Sequence, residues 1–170
     1  MVKKLVPVIV IIVAFAIIGM LVSGLSGKAS ANPGDKAAEF ELQTVTGETY
    51  KLADYKGRKV VLNFFTTWCQ PCLDEAPELE AFGAEYGGAE LLIIAKGETK
   101  KRIEDYLKDS NSQLTYLLDT KEEVSKNYSV IGQPETIIID ENGIIQQRFS
   151  GPTTKDKLID LIENPALNDK

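Results

Sequence analysis

The sequence predicts one α/β domain, a mixed central β-sheet flanked by helices, carried behind an N-terminal membrane segment. Three observations predict it. Short runs rich in Val, Ile, Leu and Phe alternate with stretches of helical periodicity, in the order β-α-β and then β-β-α. The 139 residues after position 31 suit a single domain with a full-sized core, and nothing in them repeats or is of low complexity. The only two cysteines of the 170 residues fall together at one strand-to-helix junction, in Trp68-Cys69-Gln70-Pro71-Cys72.

At the N-terminus, Lys3-Lys4 precede an uncharged stretch, residues 5–25, that includes Val8-Ile9-Val10-Ile11-Ile12-Val13 and is long enough to span a bilayer. Basic residues on its short N-terminal side hold that end in the cytoplasm, so the rest of the chain is delivered outside. Residues 1–25 therefore read as a single-pass signal-anchor, 26–35 as a linker rich in Gly, Ser and Ala, 36–164 as the domain and 165–170 as a tail. Ala29-Ser30-Ala31 also fits a cleavage site, which would release a secreted domain. The apolar run is, however, longer than the roughly 7 to 15 residues of a signal h-region, which favours a retained anchor. No cysteine lies close enough to serve as a lipid anchor. Residues 1–31 hold three of the 19 basic residues and none of the 25 acidic ones, which leaves the remainder at a net charge of −9. Nucleic acid and anionic lipid surfaces are poor partners for such a domain.

Within the domain, Phe40-Glu41-Leu42 and Thr49-Tyr50-Lys51-Leu52 flank Thr46-Gly47-Glu48, a hairpin pattern. Residues 60–65 form a buried strand, followed by a helix over 72–86, a strand over 91–95 and a helix over 99–108. A short strand over 115–118 and a helix over 121–128 come next. The pattern closes with strand 136–139, the turn Glu141-Asn142-Gly143, strand 144–149 and a helix over 154–162. Pro77 cannot donate to the Leu73 carbonyl and is expected to kink the helix that contains it. Lys100-Lys101-Arg102 with Glu104-Asp105 reads as a solvated helix face.

A Cys-x-x-Cys at a strand-to-helix junction is a redox site by its chemistry. If Pro71 and Cys72 open a helix, the free N–H groups and the positive end of its dipole face Cys69 and favour its thiolate, which makes Cys69 the attacking nucleophile. Cysteines three apart in a first helical turn sit at roughly 5 Å between Cα atoms, within disulfide range, so Cys72 is the resolving thiol. Trp68 covers one side of the pair. A purely structural staple is a poor alternative, because so short a ring stabilises by only about 2 kcal/mol through loop closure. Tetrahedral zinc needs four ligands, whereas this chain has two cysteines and no histidine. Covalent haem attachment fails because Leu73 stands where histidine is required. No metal and no cofactor beyond the redox-active Cys69–Cys72 pair is expected.

Phe64-Phe65-Thr66-Thr67-Trp68-Cys69-Gln70-Pro71-Cys72, Glu75-Ala76-Pro77 and Gly132-Gln133-Pro134 together resemble the thioredoxin fold, and within it the membrane-anchored TlpA/ResA-type thiol-disulfide oxidoreductases, over residues 35–163. The resemblance implies an extracytoplasmic protein-disulfide reductase fed by a membrane thiol donor. Its protein substrates would be disulfides such as those of apocytochrome c during cytochrome c maturation, or of the spore envelope. It also implies a cis-proline at Pro134, packed against the disulfide, with Gln133, Pro134 and Trp68 at the substrate; base rates alone would make the 133–134 bond trans. Glu135 follows this proline where many relatives have threonine, and an acidic side chain there would select basic partners. Glu75, one turn after Cys72 on the same helix face, matches a glutamate those relatives hold near the active site. Buried, it would have a raised pKa and take the Cys72 proton. Asn63, six residues before Cys69, stands where ordinary thioredoxins place a buried aspartate, and an amide cannot titrate. Three other functions fit the same residues less well: a disulfide-forming oxidant, a peroxiredoxin-like enzyme, and an anchored binding module with a permanent disulfide. The Cys-x-x-Cys spacing and the absence of an upstream proline count against the peroxiredoxin.

Overall fold

The computed structural model describes residues 31–165. The signal-anchor expected over 1–25 and all but the first residue of the tail lie outside the described residues. Among those described, no helix is long and apolar enough to cross a membrane.

The centre of the fold is strand β3 (Lys59–Phe65), in which every residue after Lys59 is buried. A strand covered on both faces has no need of polar alternation, which is why Val60-Val61-Leu62-Asn63-Phe64-Phe65 is a nearly continuous apolar run. β3 pairs in parallel with β4 (Ala89–Lys96) and antiparallel with β6 (Glu135–Ile139). β5 (Thr115–Asp119) extends the sheet in parallel beyond β4, and β7 (Ile145–Ser150) extends it antiparallel beyond β6, in the order β5-β4-β3-β6-β7. This is the predicted mixed sheet. A separate hairpin joins β1 (Glu41–Gln43) to β2 (Thr49–Lys51) around Gly47, whose φ of 89° only glycine adopts readily.

The two-residue period of β3 sorts its side chains between two cores. Val60, Leu62 and Phe64 pack with Phe40, Leu52, Tyr55 and Tyr128 under the hairpin and the short helix α3 (Glu123–Asn127). Val61 and Phe65 face the other way, toward helices α1 (Gln70–Glu85), α2 (Lys100–Ser110) and α4 (Lys155–Glu163), and pack with Cys72, Phe82, Ile103, Leu158 and Ile162. By the same alternation Asn63 falls on the α1 side of the sheet.

Several elements differ from expectation for identifiable reasons. The helix expected over 121–128 shrinks to α3 because Glu122 adopts the left-handed conformation at φ 57°. The buried Asp119 carboxylate takes the free N–H groups of Val124 at 3.2 Å and Ser125 at 2.8 Å, fixing the helix start there. Leu52 leaves the hairpin for a 3-10 turn (Leu52–Tyr55) that inserts both of its end residues into the core. Ala31 is already buried, and the N–H of Gly34 donates to the Ile145 carbonyl at 2.8 Å, so the chain packs onto the sheet within the stretch read as linker. Pro77 lies inside the continuous span of α1, at the place where the kink is expected. The basic run on α2 is a solvated face, with Lys101 paired to Asp105.

Phe82 is fully buried where α1 meets the sheet, whereas Ile131 is exposed. Phe82→Ala should therefore destabilise the domain by about 3–5 kcal/mol and Ile131→Ala by less than about 0.5 kcal/mol in urea unfolding. Equal losses would contradict this core assignment.

Candidate active site

The Cys-x-x-Cys lies where β3 ends and α1 begins. Cys69 is the N-cap of α1 and Pro71 occupies its first turn, where a missing N–H leaves no intrahelical bond unmade. The cysteines form a disulfide with 5.3 Å between Cα atoms, in line with the spacing expected of one helical turn. The Cys72 N–H points at Cys69 Sγ at 3.3 Å, so a thiolate formed at Cys69 has a backbone donor waiting for it. Cys72 is almost completely buried and Cys69 slightly less so, while Trp68 beside them is 68% exposed.

Across the disulfide runs the loop before β6. Its Gln133–Pro134 peptide bond is cis, as the resemblance implied and base rates did not. The Gln133 carbonyl oxygen lies 3.5 Å from Cys69 Sγ. The Gln133 side chain turns inward and donates to Thr66 Oγ1 at 3.3 Å, tying this loop to the cysteine loop. Pro134 is buried, and Ile131, 94% exposed, stands on the outer side of the same loop.

Glu75, one turn along α1 from Cys72, is 2% exposed rather than facing solvent. One carboxylate oxygen accepts from Asn63 Nδ2 at 2.9 Å and the other from the Thr153 N–H at 2.9 Å. Burial raises its pKa above the ordinary carboxylate value, and the two hydrogen bonds, which favour the charged form, offset only part of that rise. Asn63 Nδ2 also reaches Thr136 Oγ1 at 3.2 Å, while Asn63 Oδ1 and Thr153 Oγ1 are buried without a partner.

Glu135 corrects the expectation of an acidic side chain presented to substrate. It is buried and paired with Arg148 of β7, whose guanidinium also donates to the carbonyls of Ala31, Tyr128 and Ser129 at 3.1, 2.8 and 3.0 Å. Its charge is therefore spent inside the fold, beneath the cis-proline loop, and it offers nothing to a basic partner.

Two supporting residues are not singled out by the motif. Glu98, in the loop after β4, is buried and accepts from both the N–H and the hydroxyl of Thr67 at 2.8 Å, which fixes the turn leading to Trp68 and Cys69. Its signal in the sequence is weak: an acidic residue at the C-terminal end of a parallel strand, where sites in α/β folds gather. Thr153 carries no signal at all. Among the described residues no group of His, Cys, Asp or Glu is placed to hold a metal ion.

Residues 33–148 match the AhpC/TSA family. The chain is 35% identical over 130 residues to the thioredoxin-like protein YneN of Bacillus subtilis strain 168, covering 74% of this chain and 75% of that one. It is 31% identical over 153 residues to the thiol-disulfide oxidoreductase ResA of Geobacillus kaustophilus strain HTA426, covering 88% of each. The fold is similar to the crystal structure of the pneumococcal exposed lipoprotein thioredoxin Etrx1 from Streptococcus pneumoniae strain TIGR4, with a TM-score of 0.69 at 30% identity, over 74% of this chain and 98% of that one. Matching most of its length and sharing a disulfide between two cysteines at the head of a helix, the chain belongs to the AhpC/TSA family and is a thioredoxin-like thiol-disulfide oxidoreductase with ResA-type relatives.

Proposed function

We propose that this enzyme is an extracytoplasmic, membrane-anchored reductant of protein disulfides, working through Cys69 and Cys72 with Glu75 as the proton acceptor. The observation that carries the reading is the buried Glu75, one turn after Cys72 and held only by neutral donors. Lys3, Lys4 and the apolar run ahead of the domain support the location, as does a structural relative described as an exposed lipoprotein.

In the reduced enzyme, the Cys69 thiolate attacks one sulfur of the substrate disulfide. The substrate S–S bond breaks, its second sulfur leaves as a thiolate that takes a proton from water, and a mixed disulfide forms at Cys69. The Cys72 thiol then gives its proton to the Glu75 carboxylate and attacks Cys69 Sγ. The mixed disulfide breaks, the Cys69–Cys72 disulfide forms, and the substrate departs with both sulfurs reduced. Two electrons have passed from the enzyme to the substrate. Trp68 and the Gln133-Pro134 loop bound the cleft in which the substrate strand lies. In an oxidising compartment the enzyme disulfide must be reduced again by a dithiol donor resupplied through the bilayer. Apocytochrome c and spore-envelope proteins are the substrates that the resemblance favours.

These assignments predict that Cys72→Ser accumulates a covalent complex with a disulfide-bearing protein, seen by non-reducing electrophoresis, and that Cys69→Ser does not. Accumulation on Cys69→Ser instead would reverse the roles. Because Glu75 must be ionised to accept the proton, resolution should speed up as pH rises through its raised pKa. Glu75→Gln should slow resolution by about 100-fold and abolish that inflection while leaving the initial attack by Cys69 unchanged, as read by stopped-flow quenching of Trp68. An unchanged profile would remove Glu75 from the mechanism.

A further inference from the structure

We propose that Asn63 is the positioning residue that carries Glu75 through both of its protonation states, its amide donating to the carboxylate and turning over to accept from the carboxylic acid. The inference rests on the role of Glu75 given above and goes beyond it to the side chain that makes the role reversible. A buried proton acceptor needs a donor before it takes the proton and an acceptor afterwards, and most buried partners offer only one. A carboxamide carries both on one planar group that interchanges them by a half-turn about its last side-chain torsion.

The bridging position serves either end of the amide, and the half-turn carries Nδ2 to the buried place where Oδ1 now has no partner. In the present arrangement Asn63 Nδ2 bridges Glu75 Oε1 at 2.9 Å and Thr136 Oγ1 at 3.2 Å, while Asn63 Oδ1 is buried with no partner. After the half-turn Oδ1 occupies the bridging position, where it accepts the Glu75 O–H with one lone pair and the Thr136 O–H with the other. Thr136 can follow because a hydroxyl both donates and accepts. The second Glu75 oxygen keeps its bond from the Thr153 N–H in either state. The groups that bond Glu75 from β3 and from the loop before α4 are neutral, as is Thr136 on β6, and no charged side chain contributes to its shift. In the oxidised protein Glu75 is therefore the group that titrates there; in the reduced protein the Cys72 thiol on its own helix joins it. An aspartate at position 63 could not serve in this way, since ionised it would repel the Glu75 carboxylate.

The test is a pH titration of the oxidised full chain by NMR, following the Glu75 carboxyl carbon and the Asn63 side-chain amide together. The proposal predicts that the Asn63 amide resonances move with the midpoint of Glu75. It also predicts that Asn63→Leu raises that midpoint, because, of the two bonds the amide makes, the one to the charged form is the stronger, so its loss outweighs the loss of the acceptor for the acid. Amide resonances that stay fixed while Glu75 titrates would overturn the proposal, and this result needs no variant to fold. In the reduced chain the pH inflection of Cys72 reactivity should move with Glu75 in Asn63→Leu. If amide and carboxyl titrate together but Glu75→Gln leaves Cys72 reactivity unchanged, the Asn63 coupling stands and the role of Glu75 as proton acceptor fails.

Discussion

The site is arranged around one carboxylate held between sheet and helix without a counter-charge. Burying Glu75 beside β3 disfavours its charged form, and the Asn63 amide and the Thr153 N–H recover part of that loss. An arginine or lysine in the same place would hold it ionised and useless as a proton store; a wholly apolar pocket would keep it protonated through the physiological range. Burial with two neutral donors leaves its pKa raised, the direction that the proposed proton acceptor requires. The demand reaches outward through the fold, since Asn63 must point toward α1, Thr153 must precede α4, and Cys72 must lie one turn before Glu75.

A second buried charge does different work. Arg148 and Glu135 neutralise each other beneath the cis-proline loop, and the guanidinium also gathers the carbonyls of Tyr128, Ser129 and Ala31. Ion pairs of this kind add little net stability over apolar residues of equal volume, but losing one partner leaves a stranded charge. What the pair supplies is definition: it pins the backbone just before Ile131, Gln133 and Pro134 to the edge strand and to the first packed residues of the domain. With Glu98 holding Thr67 on the opposite side of the disulfide, the loops on both sides of it are fixed from behind, while Trp68 and Ile131 on those loops are exposed.

Much of this was legible because it is local. The Cys-x-x-Cys, the proline in the first helical turn and Glu75 three residues beyond Cys72 are read within a single helix, and the two-residue period of β3 already sends Asn63 to the same side. The mixed sheet followed from the order of strands and helices. The remainder depends on contacts between distant positions. Thr67 and Glu98 are 31 residues apart, Glu75 and Thr153 are 78, and Ala31 and Arg148 are 117. Glu135 departs from its expected role for the same reason, since its charge looks available until the β6–β7 register places Arg148 diagonally across from it. Helix α3 came out short because Asp119, at the end of a strand, takes the N–H groups of Val124 and Ser125 and fixes the helix start beyond the position 121 that the local pattern suggests.

The direction of electron flow tests the account most directly, and it is read from the reduction potential of the Cys69–Cys72 couple equilibrated against dithiothreitol or glutathione. A reductant supplied by a membrane donor should lie near or below the roughly −270 mV of thioredoxin. A value near the roughly −120 mV of DsbA would make the enzyme a disulfide-forming oxidant and contradict the account.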